Sequence, residues 1–430
     1  MDRNSNSLNI LLAHYRFFVS GGPERYLFNI MEMLEKKGHT TIPFSVKHPK
    51  NCPSAYSDLF LSPITDDKDA VLFSQIRKNP KTAIKLLDRA FYSFEARKKI
   101  RKIIEKLNVD VAYCMHFLRW ISPSFIMELN RLDIPIIARL SDFAYICPES
   151  HLLRDGKVCE LCTKGHYWHS VKYKCVQSSF LLSFINFLSI SLHRQLKILD
   201  KIDAFVCPSL FTLDTMTKAG FEKQKLFHVP TFVDSERIIP KFDRGNYILY
   251  FGRISYEKGI SVLLDAYEKL IKKKSKASIP LYVAGKYYGK ETEQLKKRIL
   301  SSGDKGVKVL GEFEHDPLYE IIRNSAFTIV PSICYDNMPN VILESFAAGK
   351  PVVGSRIGSI PDLVKHRETG LLFEPGNSDD LAEKLQWLID HPEKCTTMGR
   401  SARILVEREH SPELHYERIM EIFQTFRQKT

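Results

Sequence analysis

Apolar residues along the chain fall into short continuous runs that alternate with stretches of helical spacing. "LNILLAHY" (8–15) and "HTTIPFSV" (39–46) read as strands, and "ERYLFNIMEMLEKKG", opened by Pro23, as the helix between them. After a less regular stretch of helical character come strand-like runs at 110–117, 134–141 and 202–209. The scheme repeats with runs at 247–253, 279–285, 307–313, 327–332 and 351–355, again with helical stretches between them. Alternation of this kind predicts parallel sheets flanked by helices. The segment 228–246, with two prolines and mixed polarity, reads as an interdomain linker. Three helical runs, 378–391, 394–408 and 411–428, close the chain. The expected division is a first domain over 1–235, a second over 236–408, and a terminal helix over 409–430 that packs back on the first domain.

Length supports this division, because 430 residues exceed what one hydrophobic core organises. Hydrophobic and charged fractions of 44% and 26% are those of a soluble globular protein. No repeat at a period of 20 to 50 residues is found. The N-terminus lacks a basic leader region, and "FLLSFINFLSISL" (180–192) is shorter than a spanning helix needs. The expected location is the cytoplasm, with the nine cysteines kept reduced. The net charge of +13 is spread along the chain, with one denser run at 95–108. No zinc finger, RNA-recognition sheet or helix-turn-helix signature accompanies it, so no nucleic-acid partner is expected. Anionic small ligands or an anionic membrane surface account for the charge better. "SSFLLSFINFLSISLHRQLK" (178–197) has two readings, a core helix or an amphipathic helix at the inner face of a membrane.

Candidate chemistry concentrates in "CYDNMPNVILESFAAGKPVVGS" (334–355). A strand ends before it, a short helix starts after Pro339 and stops at Gly349, and the next strand follows. Asp336 lies in the loop and Glu344 about one turn into the helix. Between them the free N–H groups of the helix start suit an anion. Backbone donors flanked by two hydroxyl-accepting carboxylates suit a nucleotide sugar. The plain alternative is that Asp336 caps the helix and Glu344 is solvated. In "FGRISYEKG" (251–259), Arg253 leaves a strand tip and Lys258 stands at a helix start. Cations there oppose the helix dipole, which points to an anionic ligand such as a diphosphate. Pairing with nearby acids, Glu257 included, is the other reading. Gly21-Gly22-Pro23 follows the first strand, where two glycines allow close approach of backbone to a ligand.

Together these motifs resemble the retaining family 4 glycosyltransferases. The glycine-rich first loop, G-R-x-x-x-E-K-G, the acid-x₇-acid segment running into "AAGKPVV", and 358–385 carry the resemblance over nearly the whole chain. It implies an α/β architecture of GT-B type, two Rossmann-like βαβ domains facing across a cleft. It also implies hexose transfer from a UDP- or GDP-sugar to a glycan or lipid-linked acceptor, as in surface polysaccharide assembly, with no cofactor required; a lipid-linked acceptor would favour the reading of 178–197 as a peripheral membrane contact. Arg253 and Lys258 match the pair that holds the donor diphosphate, and Glu344 the acid that binds the ribose hydroxyls. Asp336 falls on the acid, usually Glu, that contacts the donor sugar. Gly252 and the segment Asn337, Met338, Pro339, Asn340 and Val341 match the donor loops, and Gly21 and Gly22 the first-domain loop beside the phosphate.

Two features depart from that pattern or add to it. In "ARLSDF" (138–143), Ser141 stands where the family has the histidine of a His-Asp pair. His116, at the end of "DVAYCMHF", is the candidate substitute. The departure favours another reading, a nucleotide-sugar or glycan-binding protein with reduced turnover; a sugar-nucleotide epimerase of the same architecture is a further reading, which the acid-x₇-acid segment and "GRISYEKG" oppose. The second feature is an insertion over 147–175, resembling the cysteine-rich insertion of some family members. It sets Cys147, Cys159, Cys162 and Cys175 at a spacing that suits a structural Cys₄ zinc site, with His166 and His169 as alternative ligands. Free thiols or one labile disulfide are the other readings.

Overall fold

The computed structural model describes residues 7–65, 80–273, 279–288, 292–303, 306–313 and 315–428. In the N-terminal half, β1 (Asn9–Ala13), β2 (Thr40–Phe44), β3 (Val111–Cys114) and β4 (Ile136–Arg139) are followed by a small hairpin, β5 (Leu153–Arg154) and β6 (Lys157–Val158). β7 (Ala204–Cys207) and β8 (Leu226–His228) complete this half. The second half contains β9 (Ile248–Phe251), β10 (Leu281–Ala284), β11 (Val307–Gly311), β12 (Phe327–Val330), β13 (Val352–Ser355) and β14 (Gly370–Phe373). Two six-stranded sheets result, ordered β2-β1-β3-β4-β7-β8 and β11-β10-β9-β12-β13-β14. Every pairing in both is parallel.

Central strands such as β3, β4, β9 and β12 are buried at every position. Both faces of a parallel sheet are covered by helices, so its strands carry unbroken apolar runs instead of alternation. One face of the first sheet packs Leu11, Ala112 and Ala138 against the Phe94–Leu107 helix, whose N-terminus Ser93 caps. The other packs Ile10, Tyr113 and Val206 with Tyr26 and Ile30 of the Gly22–Lys36 helix. Ile419 and Phe423, from the terminal helix Pro412–Arg427, belong to that same cluster. The last helix of the chain thus completes the core of the first domain.

Besides the small hairpin, two strands of the six-stranded sheets lie outside the runs read from the sequence. β8 is a three-residue edge strand, and its last residue, His228, falls in the segment read as linker. β14 is the edge of the second sheet, pairing Gly370 with Val352. Edge strands this short carry little periodic signal.

The chain crosses between domains twice, and the two crossings hold each other. Val233 N–H donates to His410 O at 3.0 Å. His410 Nδ1 lies 2.8 Å from Thr231 O, and His415 Nδ1 2.7 Å from Pro230 O. The other nitrogen of His415 is 2.9 Å from the Tyr26 hydroxyl. Burial lowers the pKa of His415 to about 3, and burial with the neighbouring His116 does the same for His14. Each folds as neutral imidazole but takes up a proton in the unfolded chain below its ordinary pKa. Stability is therefore complete above about pH 6.5 and falls on acidification, by about 1 kcal/mol per histidine between pH 6.5 and 5.5. Chemical denaturation at the two pH values checks this. His415→Gln is expected to be less stable at pH 7 and to lose about 1 kcal/mol of the stability change between pH 6.5 and 5.5.

Candidate functional site

Parallel strands in one sheet end on one edge, so residues just past them are brought together whatever their sequence separation. The C-terminal edges of the two sheets line a cleft of about 2110 Å³. Its walls include every candidate of the three loops singled out for the donor: Gly21, Gly22, Gly252, Arg253, Lys258, and Asp336 through Val341 with Glu344. His116 and Ser141 line it from the first domain.

On the second-domain side, the Asn340–Ala347 helix starts at Pro339, and no side chain caps its first turn. Its leading amides are left for a ligand. Asp336 is not the cap. Its Oδ1 is paired with Lys258 Nζ, and its Oδ2 accepts from Ser332 Oγ at 2.8 Å. Burial alone would raise the Asp336 pKa, but Lys258, Ser332 and Arg253 together hold it below the usual carboxylate range. Lys258 thus pairs with the loop acid, not with Glu257. The Arg253 guanidinium lies 5.1 Å from the centre of the Tyr288 ring and makes no ion pair with a carboxylate among the described residues.

Glu344 is not solvated either, being 7% exposed. Its Oε1 accepts from Arg25 Nη1 at 3.0 Å, across the cleft from the first domain. Its Oε2 is buried with no partner. Burial pushes this carboxyl up, and Arg25 opposes the shift only in part. A buried half-satisfied carboxylate is costly unless a ligand completes it.

The domains meet at these loops. Asn337 Nδ2 donates to Leu140 O at 3.0 Å and Asn340 Nδ2 to Gly22 O at 3.4 Å. A Cβ on Gly22 would come within 3.2 Å of Asn340 Nδ2, so a side chain there would require the Asn340 amide to shift by a few tenths of an ångström. Gly21 has φ 179°, extended backbone that asks for no glycine. Gly252, at φ +122°, adopts a conformation that other residues rarely take.

On the first-domain side, Ser141 Oγ accepts from Arg139 Nη1 at 3.1 Å. Its neighbour Asp142 faces His116 instead, with Nε2 to Oδ2 at 3.4 Å. Burial would raise the Asp142 pKa, yet the charge and hydrogen bond of His116 bring it down to about 2. A histidine and an aspartate thus meet here from two strand ends, after β3 and β4. The imidazole nitrogen Nδ1 of His116 is buried without a partner, as is Nε2 of His14 at the tip of β1. Their rings meet edge to face at 5.2 Å. Beside them Glu24 pairs with Arg16 at 3.2 Å. Arg25, His14 and Asp142 were not singled out from the sequence. Asp142 was visible in "ARLSDF", whereas nothing local marks Arg25 as a partner of Glu344.

The cysteine cluster is different. Cys147, Cys159, Cys162 and Cys175 are free thiols. Burial and neighbouring thiols push Cys162 up to about 12 and Cys175 to about 11. Among the described residues, however, no three His, Cys, Asp or Glu side chains converge as metal ligands. His169 is instead stacked on Trp168 at 4.0 Å. Cys162 nevertheless has Cys147, Cys159 and Cys175 as electrostatic neighbours, and Cys159 N–H donates to Leu152 O at 2.8 Å within the insertion.

Comparisons with known proteins agree with this geometry. The family described as glycosyl transferases group 1 matches residues 233–404. An uncharacterized glycosyltransferase of Methanocaldococcus jannaschii is 30% identical over 158 residues, 37% of this chain and 42% of that protein. The GDP-mannose-dependent monoacylated alpha-(1-6)-phosphatidylinositol monomannoside mannosyltransferase of Corynebacterium glutamicum is 26% identical over 249 residues, 53% of this chain and 64% of that one. The chain thus spans less than two thirds of these curated relatives. Among solved structures, sucrose-phosphate synthase of Thermosynechococcus elongatus superposes with a TM-score of 0.72 at 16% identity, covering 98% of this chain and 100% of that one. HepE of Anabaena, solved in complex with UDP, gives 0.66 at 15% identity, covering 97% and 100%. Residues 233–404 match the family described as glycosyl transferases group 1, and the chain as a whole has the GT-B fold.

Proposed function

We propose that the protein is a retaining glycosyltransferase of family 4 type, moving a hexose from a UDP- or GDP-sugar to a glycan or lipid-linked acceptor in the cytoplasm. The observation that carries this reading is the arrangement around the Asn340–Ala347 helix. Arg253 and Lys258 stand by its uncapped start, and Glu344, one turn in, keeps a buried oxygen without a partner. A diphosphate at the helix start would place ribose hydroxyls toward Glu344 and the hexose toward Asp336. HepE, with the same fold, has been solved with UDP-glucose.

Transfer builds negative charge on the departing diphosphate and positive charge on the sugar ring. The two cations and the preorganised amides act on the first of these. Lys258 is held by Asp336 in the structure described, so an incoming diphosphate takes over a cation already in place. No cofactor enters this scheme. The site on the first domain, with His116 and Asp142, faces the acceptor side.

Incubation with UDP-, GDP- and ADP-sugars, with release of nucleoside diphosphate as the readout, tests the proposal. A protein that binds nucleotide yet releases none, with any acceptor glycan or lipid, would be the binding protein of reduced turnover that Ser141 suggests. Epimerised sugar from a single donor would point to the epimerase reading. If His116 has taken over from the histidine missing at 141, His116→Ala is expected to slow turnover about a hundredfold. Ser141→Ala is expected to change it by only a few fold, because its hydroxyl serves Arg139. The reverse ranking would give the role to Ser141.

A further inference from the structure

The Phe180–Gln195 helix is inverted relative to a helix of a water-soluble core. Its buried positions are Ser183, Ser189 and His193. Phe180 and Leu181 are 58% and 63% exposed, and Phe184, Leu188 and Leu192 are exposed with them. Positions 180, 184, 188 and 192 form one stripe along the helix. The sequence alternative of a core helix is therefore corrected: the helix lies on the surface with its apolar side outward.

The inward polar groups are satisfied by neighbours. Ser189 Oγ donates to Ala90 O at 2.6 Å, and His193 Nε2 lies 3.2 Å from Phe91 O. Ser183 Oγ accepts from Val176 N–H at 3.0 Å. The partner in this polar seam, the Pro80–Phe91 helix, repeats the inversion, with Thr82 and Arg89 buried while Ile84 and Leu87 are exposed. Arg89 is met by Glu95 at 2.7 Å. Two adjacent helices thus bury polar groups against each other and turn aliphatic and aromatic side chains outward. Leaving such a face in water is unfavourable, and a contiguous apolar patch of this kind marks a contact surface.

Charge selects the occupant. From Leu161 to Leu199 the chain contains no Asp or Glu, but contains Lys164, Lys172, Lys174, Arg194 and Lys197. All but Lys164 flank the apolar stripe at or near the two ends of the helix, and all four of these are exposed. A second copy of the chain seated on this face would set cations against cations. An anionic bilayer would accept both the apolar stripe and the cations. The patch is also continuous with the cleft, since Leu87, Leu181, Arg194 and Lys197 line its wall. No described helix is long and apolar enough to cross a membrane, so the contact is one of lying on the surface.

We infer that the paired helices Pro80–Phe91 and Phe180–Gln195 dock the first domain on an anionic lipid bilayer, with the cleft opening beside the headgroups. The inference stands on this surface alone and holds whether or not the cleft transfers a sugar.

Flotation of the full chain with vesicles of phosphatidylglycerol and phosphatidylcholine, against phosphatidylcholine alone, tests it. The wild type is expected to float with the anionic vesicles at low salt and to stay behind with the neutral ones. Phe184→Asp with Leu188→Asp, and separately Lys172→Glu with Lys197→Glu, are each expected to weaken partitioning about tenfold or more. All four positions are exposed, so unchanged melting temperatures are expected and serve as the folding control. Absence of wild-type binding at low salt would overturn the inference, as would binding untouched by both double variants. A wild-type dimer that Phe184→Asp with Leu188→Asp converts to monomer would overturn it too, by assigning the face to a second copy.

Discussion

Lys258→Ala is expected to cut turnover by about 10²- to 10³-fold, the usual effect of removing one preorganised donor from developing charge. Lys258 enters the cleft from the helical turn Tyr256–Lys258 that follows β9, and its ammonium is paired with the buried Asp336. That pairing gives it two consequences when it is lost. The diphosphate loses a cation, and Asp336 loses the charge that holds its carboxyl below the usual range. The Asp336 pKa is then expected to rise, since burial dominates once the cation is gone. Residual activity of Lys258→Ala should accordingly respond to pH over a range where the wild type is flat. Lys258→Arg, which keeps the charge on a different geometry, should recover part of the rate. Single-turnover release of nucleoside diphosphate is the measurement. A wild-type rate in Lys258→Ala would reduce Lys258 to a structural partner of Asp336 and remove it from the transfer step.

The second large effect is expected at Glu344, and it has opposite signs for stability and for binding. Burial raises the Glu344 pKa, so above that value the ionised side chain costs the folded state stability. Glu344→Gln removes the charge and is expected to raise the melting temperature of the free protein. The same change removes the acceptor proposed for the ribose hydroxyls. Loss of hydrogen bonds to a charged group is worth about 1.5–3 kcal/mol, or about 10- to 100-fold in affinity. A nucleotide at about 100 times its dissociation constant stabilises a protein by about 2.7 kcal/mol. UDP, GDP and ADP are therefore to be compared by thermal shift on wild type and Glu344→Gln. One base should stabilise the wild type and lose most of its effect on the variant. Stabilisation of both proteins alike would place the ribose elsewhere. A less stable Glu344→Gln would mean that the ion pair with Arg25 outweighs the burial of Glu344.

Both predictions depend on one property of the fold. The loop between β12 and the Asn340–Ala347 helix touches the first domain through Asn337 and Asn340, and the helix does so through Glu344. Changes in that loop will therefore alter how the domains meet as well as what the second domain binds. Such coupling suits a site where donor and acceptor come from opposite walls, because excluding water between them strengthens each electrostatic contact.

What the sequence determined by itself is local. Parallel strands buried on both faces write themselves as unbroken apolar runs, so the central strands of both sheets were legible, and only the short edges β8 and β14 were not. The residues proposed to hold the donor were also legible. Arg253 and Lys258 lie five positions apart at a strand tip, Asp336 and Glu344 eight apart around a helix start, and such spacings are set by local geometry. The tertiary structure alone decided what meets those residues. Sheet order puts β3 beside β4, which brings His116 to Asp142, and domain closure brings Arg25 to Glu344 across 319 positions of sequence. Nor does spacing tell which side of a helix is buried. "FLLSFINFLSISL" shows apolar content, but Ser189 and the following His193 turn inward to the Ala90 and Phe91 carbonyl groups of a neighbouring helix. Periodicity records the contrast between two faces. The partner each face receives is decided by packing among segments far apart in the chain.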